Sequence, residues 1–250
     1  MTNDDGVESP GIHALAEKLA ELGEVTVVAP AHEVSGVSHA LTLSEPLRYE
    51  QLEERIFSVE GTPTDCVNLA VGNLLPHRPD LVVSGINRGA NLGDDITYSG
   101  TVAGAMEGAM LGITSFAVSL ASKTSEEFGT ASEFAVQLAQ IITRKTLPRS
   151  TFLNVNVPAS DVEGIRITNQ GGGDYRANAG KRAERRSRVT LWLKRGFSRW
   201  ERNGVSDIAA VRENLISVTP LHIDFTNYDA LDDLASWGLN WNGGPRNHSR

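Results

Sequence analysis

From Pro10 onward, Ile12, Leu15, Ala16, Leu19 and Leu22 recur at helical spacing. Ser9 is placed to cap that helix, Pro10 to occupy its first position and Gly23 to end it. The period then changes. Val25–Ala29 is a short apolar run stopped by Pro30, the pattern of a buried strand. A loop from Pro30 to about Ala40 leads into an extended stretch, Leu41–Tyr49, and a further strand is expected at Ile56–Val59. Thr62-Pro63-Thr64-Asp65 reads as a capped helix start. Leu81–Gly85, apolar and β-branched, reads as a central strand; Thr101–Gly112 is a helix of small residues; Ile113–Leu120 is the next strand. Phe134, Leu138, Ile141 and Ile142 mark another amphipathic helix.

Short apolar strands alternating with helices predict an α/β fold, a Rossmann-like doubly wound, mostly parallel sheet with helices on both faces. From about Phe152 the rhythm changes. Strand-like stretches (Phe152–Val157, Ile165–Thr168, Val189–Leu193) flank a glycine-rich, basic segment, Gly171–Arg188, read as a projecting hairpin or arm. Leu215–Pro220 returns as a strand and Tyr228–Trp237 as a terminal helix, so the chain ends in a C-terminal β-hairpin/helix extension. Residues 1–237 are read as one domain and 238–250 as a disordered tail.

Composition narrows the function classes. The 250 residues carry a formal net charge of −8, which disfavours a stable nucleic-acid complex. The basic residues of the arm, among them Lys181, Arg182, Arg185, Arg186 and Arg188, read as a solvated hairpin. One cysteine, Cys66, cannot form an internal disulfide. No apolar run is long enough for a membrane span and the first residues are polar and acidic, so a cytoplasmic location is expected.

Four polar clusters lie after strands or at helix starts, where open α/β sheets bind ligands. Asn3-Asp4-Asp5-Gly6 sets two carboxylates side by side, a pair that a hard divalent cation would relieve, although the same residues make a good turn. Ser35-Gly36-Val37-Ser38-His39 offers a neutral oxygen ligand and an imidazole, or simply a polar loop. Ser84–Gly93 spaces three glycines among Asn87, Arg88 and Asn91; its spacing matches neither the dinucleotide fingerprint nor the ATPase phosphate loop. Tyr98–Ala105 opens a helix whose first amides could hold an anion, with an ordinary N-cap as the simpler account.

Taken in order, these clusters resemble the SurE (survival protein E) family. The resemblance rests on Thr2–Gly6 with Pro10-Gly11-Ile12, then Val28-Ala29-Pro30 with Ser35, Gly36 and His39, Gly61–Val67, Val83–Gly89, Tyr98–Ala105 and Ser217–Leu221, and spans about residues 1–237. It implies a metal-dependent nucleotidase acting on nucleoside 5′- and often 3′-monophosphates, with an oligomerising C-terminal extension, hence a homodimer or homotetramer. By residue match it implies Asp4, Asp5, Ser35 and Asn87 as ligands of one divalent cation per subunit. Asn91 and Ser99-Gly100-Thr101 would hold the phosphate. An all-oxygen ligand set suits Mg²⁺ or Mn²⁺. His39 is the first candidate for proton transfer, and Asp224, from the same chain or a neighbour, the second.

The sequence departs from the family in one place. The opening motif normally follows a strand of about five apolar residues, and here it begins at Met1-Thr2-Asn3. The expectation is that the natural protein starts upstream, or that neighbouring strands are left unpaired with Asp4 and Asp5 on a loose end. A non-catalytic nucleotide-binding protein is therefore one alternative. A haloacid-dehalogenase-type phosphatase is another, although that chemistry needs two aspartates one residue apart and these are adjacent.

Overall fold

Helix α1 (Pro10–Leu19) starts at Pro10 as the sequence predicts, but the Ser9 hydroxyl does not cap it. That oxygen instead accepts a hydrogen bond from Asn3 Nδ2 at 2.6 Å, which ties the opening turn to the helix. The computed structural model describes residues 1–185, 188–200 and 205–239. Strand β1 (Val27–Pro30) follows α1, and β2 (Tyr49–Glu53) and β3 (Ile56–Val59) form a hairpin. Of the extended stretch expected at Leu41–Tyr49, only Tyr49 belongs to a strand; Thr42 is held by the Asp65 carboxylate instead, through both its amide and its hydroxyl. Helix α2 (Pro63–Leu69) carries a full capping box, with Asp65 N donating to Thr62 Oγ1 at 3.1 Å and Thr62 N to Asp65 Oδ2 at 2.9 Å.

Strand β4 (Leu81–Arg88), helix α3 (Gly100–Met110), strand β5 (Thr114–Leu120), helix α4 (Gly129–Ile142) and strand β6 (Thr151–Val157) are two successive βαβ units. Strands β7 (Gly164–Ile167), β8 (Gly173–Arg185), β9 (Arg188–Trp200), helix α5 (Asp207–Arg212), strand β10 (Leu215–His222) and helix α6 (Leu231–Ser236) complete the chain. The result is mixed α/β. A five-stranded sheet has the order β4-β5-β6-β10-β7, parallel except where β10 runs against β6, and a three-stranded sheet has the order β1-β3-β2. β8 and β9 pair as an antiparallel hairpin over 173–185 and 188–200, a longer element than the arm read at 171–188. Beyond Leu239 the tail read as disordered lies outside the described residues.

Alternation along β5 sorts the two faces. Phe116, Val118 and Leu120 join Leu15 and Leu19 of α1 and Phe134 and Leu138 of α4. Ala117 faces the other way and meets Val102, Ala105 and Ala109 of α3 together with Phe152. Helices thus cover both sides of the parallel strands, and loops at the strands' carboxyl ends collect at one edge.

The two sheets are laced together by a dipeptide. Met1 O accepts from Val28 N at 2.9 Å, Thr2 N donates to Val83 O at 3.1 Å, and Gly85 N donates to Thr2 O at 2.8 Å. Strand β4, expected to be central, is therefore the edge of the five-stranded sheet, bridged to β1 only through these two residues among those described. Between β1 and β4 lies a cavity of about 720 Å³ lined by Met1, Val25, Val67, Leu81 and Val83 among others. The sequence argument expected Asp4 and Asp5 to hang loosely here. They do not, because the backbone bonds of Met1 and Thr2 and the side-chain contacts described next hold the turn on both sides.

Candidate functional site

The turn 3–6 is closed by Asn3 Nδ2, which donates to Gly6 O at 3.0 Å, and Gly6 adopts φ +101°, a conformation that suits glycine. Asp4 is 4% exposed. Its carboxylate accepts the Thr101 hydroxyl and lies against the first amides of α3, those of Gly100 and Thr101. A side chain at position 100 would not fit: a Cβ there would stand 2.8 Å from Asp4 Cβ and 3.0 Å from Asp4 Oδ2. The helix end expected to hold phosphate therefore already holds a carboxylate. Burial pushes the Asp4 carboxyl pKa up, more than the Thr101 and amide hydrogen bonds pull it down. The half-buried Asp5 accepts from Arg88 N at 2.9 Å, and its pKa is raised too, by burial first and then by the charges of Asp4 and Glu33.

Asn87 directly precedes the amide that holds Asp5. Its Nδ2 is turned back onto Gly89 O at 2.7 Å, so Oδ1 is the carboxamide atom that could meet a cation. Ser35 approaches on the loop after β1, where Val34 N donates to Asp4 O at 2.8 Å, but its hydroxyl donates to Glu33 Oε1 at 2.8 Å. Of the four expected ligands, Asp4 and Asp5 are adjacent in the turn, Asn87 neighbours the Arg88 amide that holds Asp5, and the Ser35 hydroxyl faces Glu33. Glu33 was not singled out in the sequence; the only signal was an acidic residue two positions before the serine. No group of three or more His, Cys, Asp or Glu side chains suited to a metal occurs among the described residues. The fit to a cation rests on two carboxylates with neutral oxygens, a donor set suited to Mg²⁺ or Mn²⁺. A buried and a half-buried carboxyl side by side are both raised in pKa, and a cation between them would favour their charged forms.

Asn91 is fixed by neutral amides. Its N donates to Asn156 Oδ1 at 2.8 Å, its O accepts from Asn154 Nδ2 at 2.8 Å and Asn156 Nδ2 at 3.0 Å, and its Nδ2 donates to Ser119 Oγ at 2.9 Å. Sequence reasoning missed Ser119, Asn154 and Asn156. The signal was present: asparagines two apart in the otherwise apolar strand Phe152–Val157 share one face. Ser99 is the N-cap of α3, its Oγ accepting from Val102 N at 3.1 Å.

His39 Nε2 donates to Glu107 Oε2 at 2.7 Å, on α3, and Asn68 Nδ2 of α2 donates to Glu107 Oε1 at 2.7 Å. The His39 bond is the main reason the Glu107 carboxyl pKa lies below its ordinary value, with burial opposing. Asp224 sits in an exposed turn, where it accepts from Thr226 N at 2.9 Å and from the Tyr228 hydroxyl. Hydrogen bonds from the Thr226 side chain, then the Tyr228 hydroxyl and the Thr226 amide, hold its pKa down at about 2. No hydrogen bond links it to the other candidates among the described residues. Nor is any helix among those residues long and apolar enough to cross a membrane.

A family model described as "Survival protein SurE" matches residues 1–177. The chain is 49% identical over 243 residues to a protein named "5′-nucleotidase SurE" from Syntrophotalea carbinolica, covering 96% of this chain and 97% of that one. It is 50% identical over 243 residues to a protein of the same name from Geotalea uraniireducens, covering 96% and 98%. A crystal structure of a SurE protein from Aquifex aeolicus superposes with a TM-score of 0.85 at 41% identity, covering 94% of this chain and 97% of that one.

Proposed function

Because this chain belongs to the SurE family, we propose that it hydrolyses nucleoside 5′-monophosphates, and 3′-monophosphates as well, to nucleoside and phosphate with the help of Mg²⁺ or Mn²⁺. The observation that carries the reading is the placement of Asp4 and Asp5, two carboxylates withdrawn from water beside the N-terminus of α3 and the Arg88 amide. A phosphate dianion approaching Asp4, Asp5 and Glu33 is repelled by those carboxylates unless a cation is held there. Asp4, Asp5 and Asn87 would hold it, with Ser35 joining once its hydroxyl leaves Glu33. When bound, it supplies Lewis acidity toward a phosphoryl oxygen and lowers the pKa of attacking water.

The protein's own groups do the rest. Thr101 and the Gly100 amide keep the Asp4 carboxylate in place, and the start of α3 presents positive partial charge to the equatorial phosphate oxygens. The carboxamides behind Asn91 fix the loop that faces them. His39 is the proton-transfer candidate, and since Nε2 is engaged by Glu107 the exchangeable nitrogen is Nδ1. The test is a metal-by-substrate screen for phosphate release from nucleoside monophosphates. Turnover that depends on added cation and stops in excess chelator is expected. Full activity in chelator, or trapping of an aspartyl-phosphate, would overturn the reading.

A further inference from the structure

Glu107 is an unexpected residue where it stands. Helix α3 is built almost wholly of small and apolar side chains, yet this carboxylate is 7% exposed in its second half. Burying a charge is costly unless it is paired and hydrogen-bonded, and Glu107 meets that condition through His39 and Asn68, both at 2.7 Å. The pair is also faced by Asp65 of α2, whose charge opposes the ionisation of Glu107. Nothing in the sheet or in α4 needs this carboxylate. What it holds is the loop 31–43.

That loop touches both halves of the site. Val34 N donates to Asp4 O at 2.8 Å, and Ser38 N donates to Tyr98 O at 3.1 Å, next to the Ser99-Gly100-Thr101 helix start. Its remaining ties are Ala31 N to Val59 O at 2.8 Å, Ser38 Oγ to Thr97 O at 2.7 Å, the Thr62 hydroxyl to Ala40 O at 2.7 Å, and Thr42 to Asp65. Among these, only His39 joins the loop to the body of α3. Thr101 and Glu107 lie on one rigid helix, about 9 Å apart along its axis. One end fixes the Asp4 carboxylate and the other fixes the loop that brings Ser35 and Val34 to Asp4. We infer that Glu107 is a positioning residue for the cation and phosphate site: by holding His39 it sets loop 31–43 against α3 and so places Ser35 and Val34 beside Asp4. The inference rests on the nucleotidase reading for its functional half, while its structural half stands without it.

The test uses the full chain with Glu107→Gln, His39→Asn and the double variant. Glu107→Gln keeps the shape and the acceptor for Asn68 but removes the charge that pairs with His39. Without metal or substrate, exchange of the Val34 and Ser38 amides should accelerate about tenfold in either single variant. Exchange in β4, β5 and β6 should be unchanged. The double variant should be no looser than either single one, because both remove the same bond. Calorimetric titration with Mn²⁺ should show weaker binding in step with the loosened loop.

Unchanged exchange at Val34 and Ser38, or effects of the two substitutions that add, would overturn the inference. So would loosened exchange with unaltered Mn²⁺ affinity, because the loop would then not position the site. Should Glu107→Gln fail to fold, the half-exposed His39→Asn carries the same exchange test. Since that arm needs no turnover, a chain that hydrolysed no nucleotide would sink the proposed function while still deciding the clamp.

Discussion

Thr101 donates its hydroxyl to the Asp4 carboxylate across 97 residues of sequence, so the turn at the start of the chain and the start of α3 form one corner. Asp4 and Asp5 are both raised in pKa by burial, Asp5 also by its neighbour's charge. For an acid whose folded pKa is raised, the stability it contributes is full below the ordinary carboxylate value. It is lost as pH rises through the raised value. At neutral pH the metal-free protein therefore carries this pair at a cost. Asp4→Asn, which keeps an acceptor for Thr101, should raise the melting temperature in chelator and abolish the gain that Mn²⁺ gives the wild type. A substitution that left the Mn²⁺ gain intact would show that Asp4 is no ligand.

Asp5→Asn should leave the fold nearly unchanged, since its oxygen can still accept from Arg88 N. Phosphate release at saturating Mn²⁺ should nevertheless fall by at least about tenfold, as expected when an anionic ligand becomes neutral. Rates close to wild type would move Asp5 out of the ligand set.

Gly100→Ala separates site geometry from helix stability. Alanine favours a helix interior over glycine by about 1 kcal/mol, so at this first helical position α3 itself loses nothing. The added methyl would meet Asp4 Cβ at 2.8 Å and Pro63 Cγ at 3.2 Å, and Asp4 must shift. The expected outcome is a melting temperature within a few degrees of wild type with activity largely lost. Retained activity would mean that the closeness of Asp4 to α3 is not needed.

An apolar pentapeptide such as Arg-Ile-Leu-Leu-Val fused ahead of Met1 should raise the melting temperature. The space between β1 and β4 is a cavity of about 720 Å³ whose walls are apolar at Met1, Val25, Val67, Leu81 and Val83 and polar at Glu24, His77, Arg78 and Asp80, and each apolar side chain fully buried there contributes about 1.5–3 kcal/mol. Fusion also replaces the Met1 amino group, whose pKa burial has lowered to about 6, by a neutral amide. Scanning calorimetry of both chains decides it: equal melting temperatures would mean that the cavity does not accept a strand.

Much of the fold was legible because alternating apolar strands and amphipathic helices leave a strong period. Strand β3, the capped start of α2 and the run from Leu81 to Leu120 lie where the pattern puts them. What the pattern hid were elements governed by distant partners. Helix α5 has six residues and depends on its Ser206 cap, with Ala209 N donating to Ser206 Oγ at 3.2 Å. Positions 41–48 look extended in sequence, yet Thr42 is held by Asp65. In the site, residue types pointed to Asp4 and Asp5 and the family resemblance to Asn87, but only tertiary structure could bring Glu107 to His39, because 68 residues separate them. The same holds for the asparagines behind Asn91, whose partners lie 63 and 65 residues away.

That carboxamide cluster has a consequence for how the protein responds to its solution. Asn91, Asn154, Asn156 and Ser119 hold one another through groups that neither titrate nor carry net charge. Salt has nothing there to screen, and no proton can be added in the physiological range to break the lattice. Asn91 itself is thus held by uncharged groups, whereas its loop is anchored on either side by carboxylates, Arg88 N on Asp5 and Gly93 N on Asp207. Response to pH falls instead to the carboxylates around it, Asp4, Asp5 and Asp207, each raised in pKa by burial.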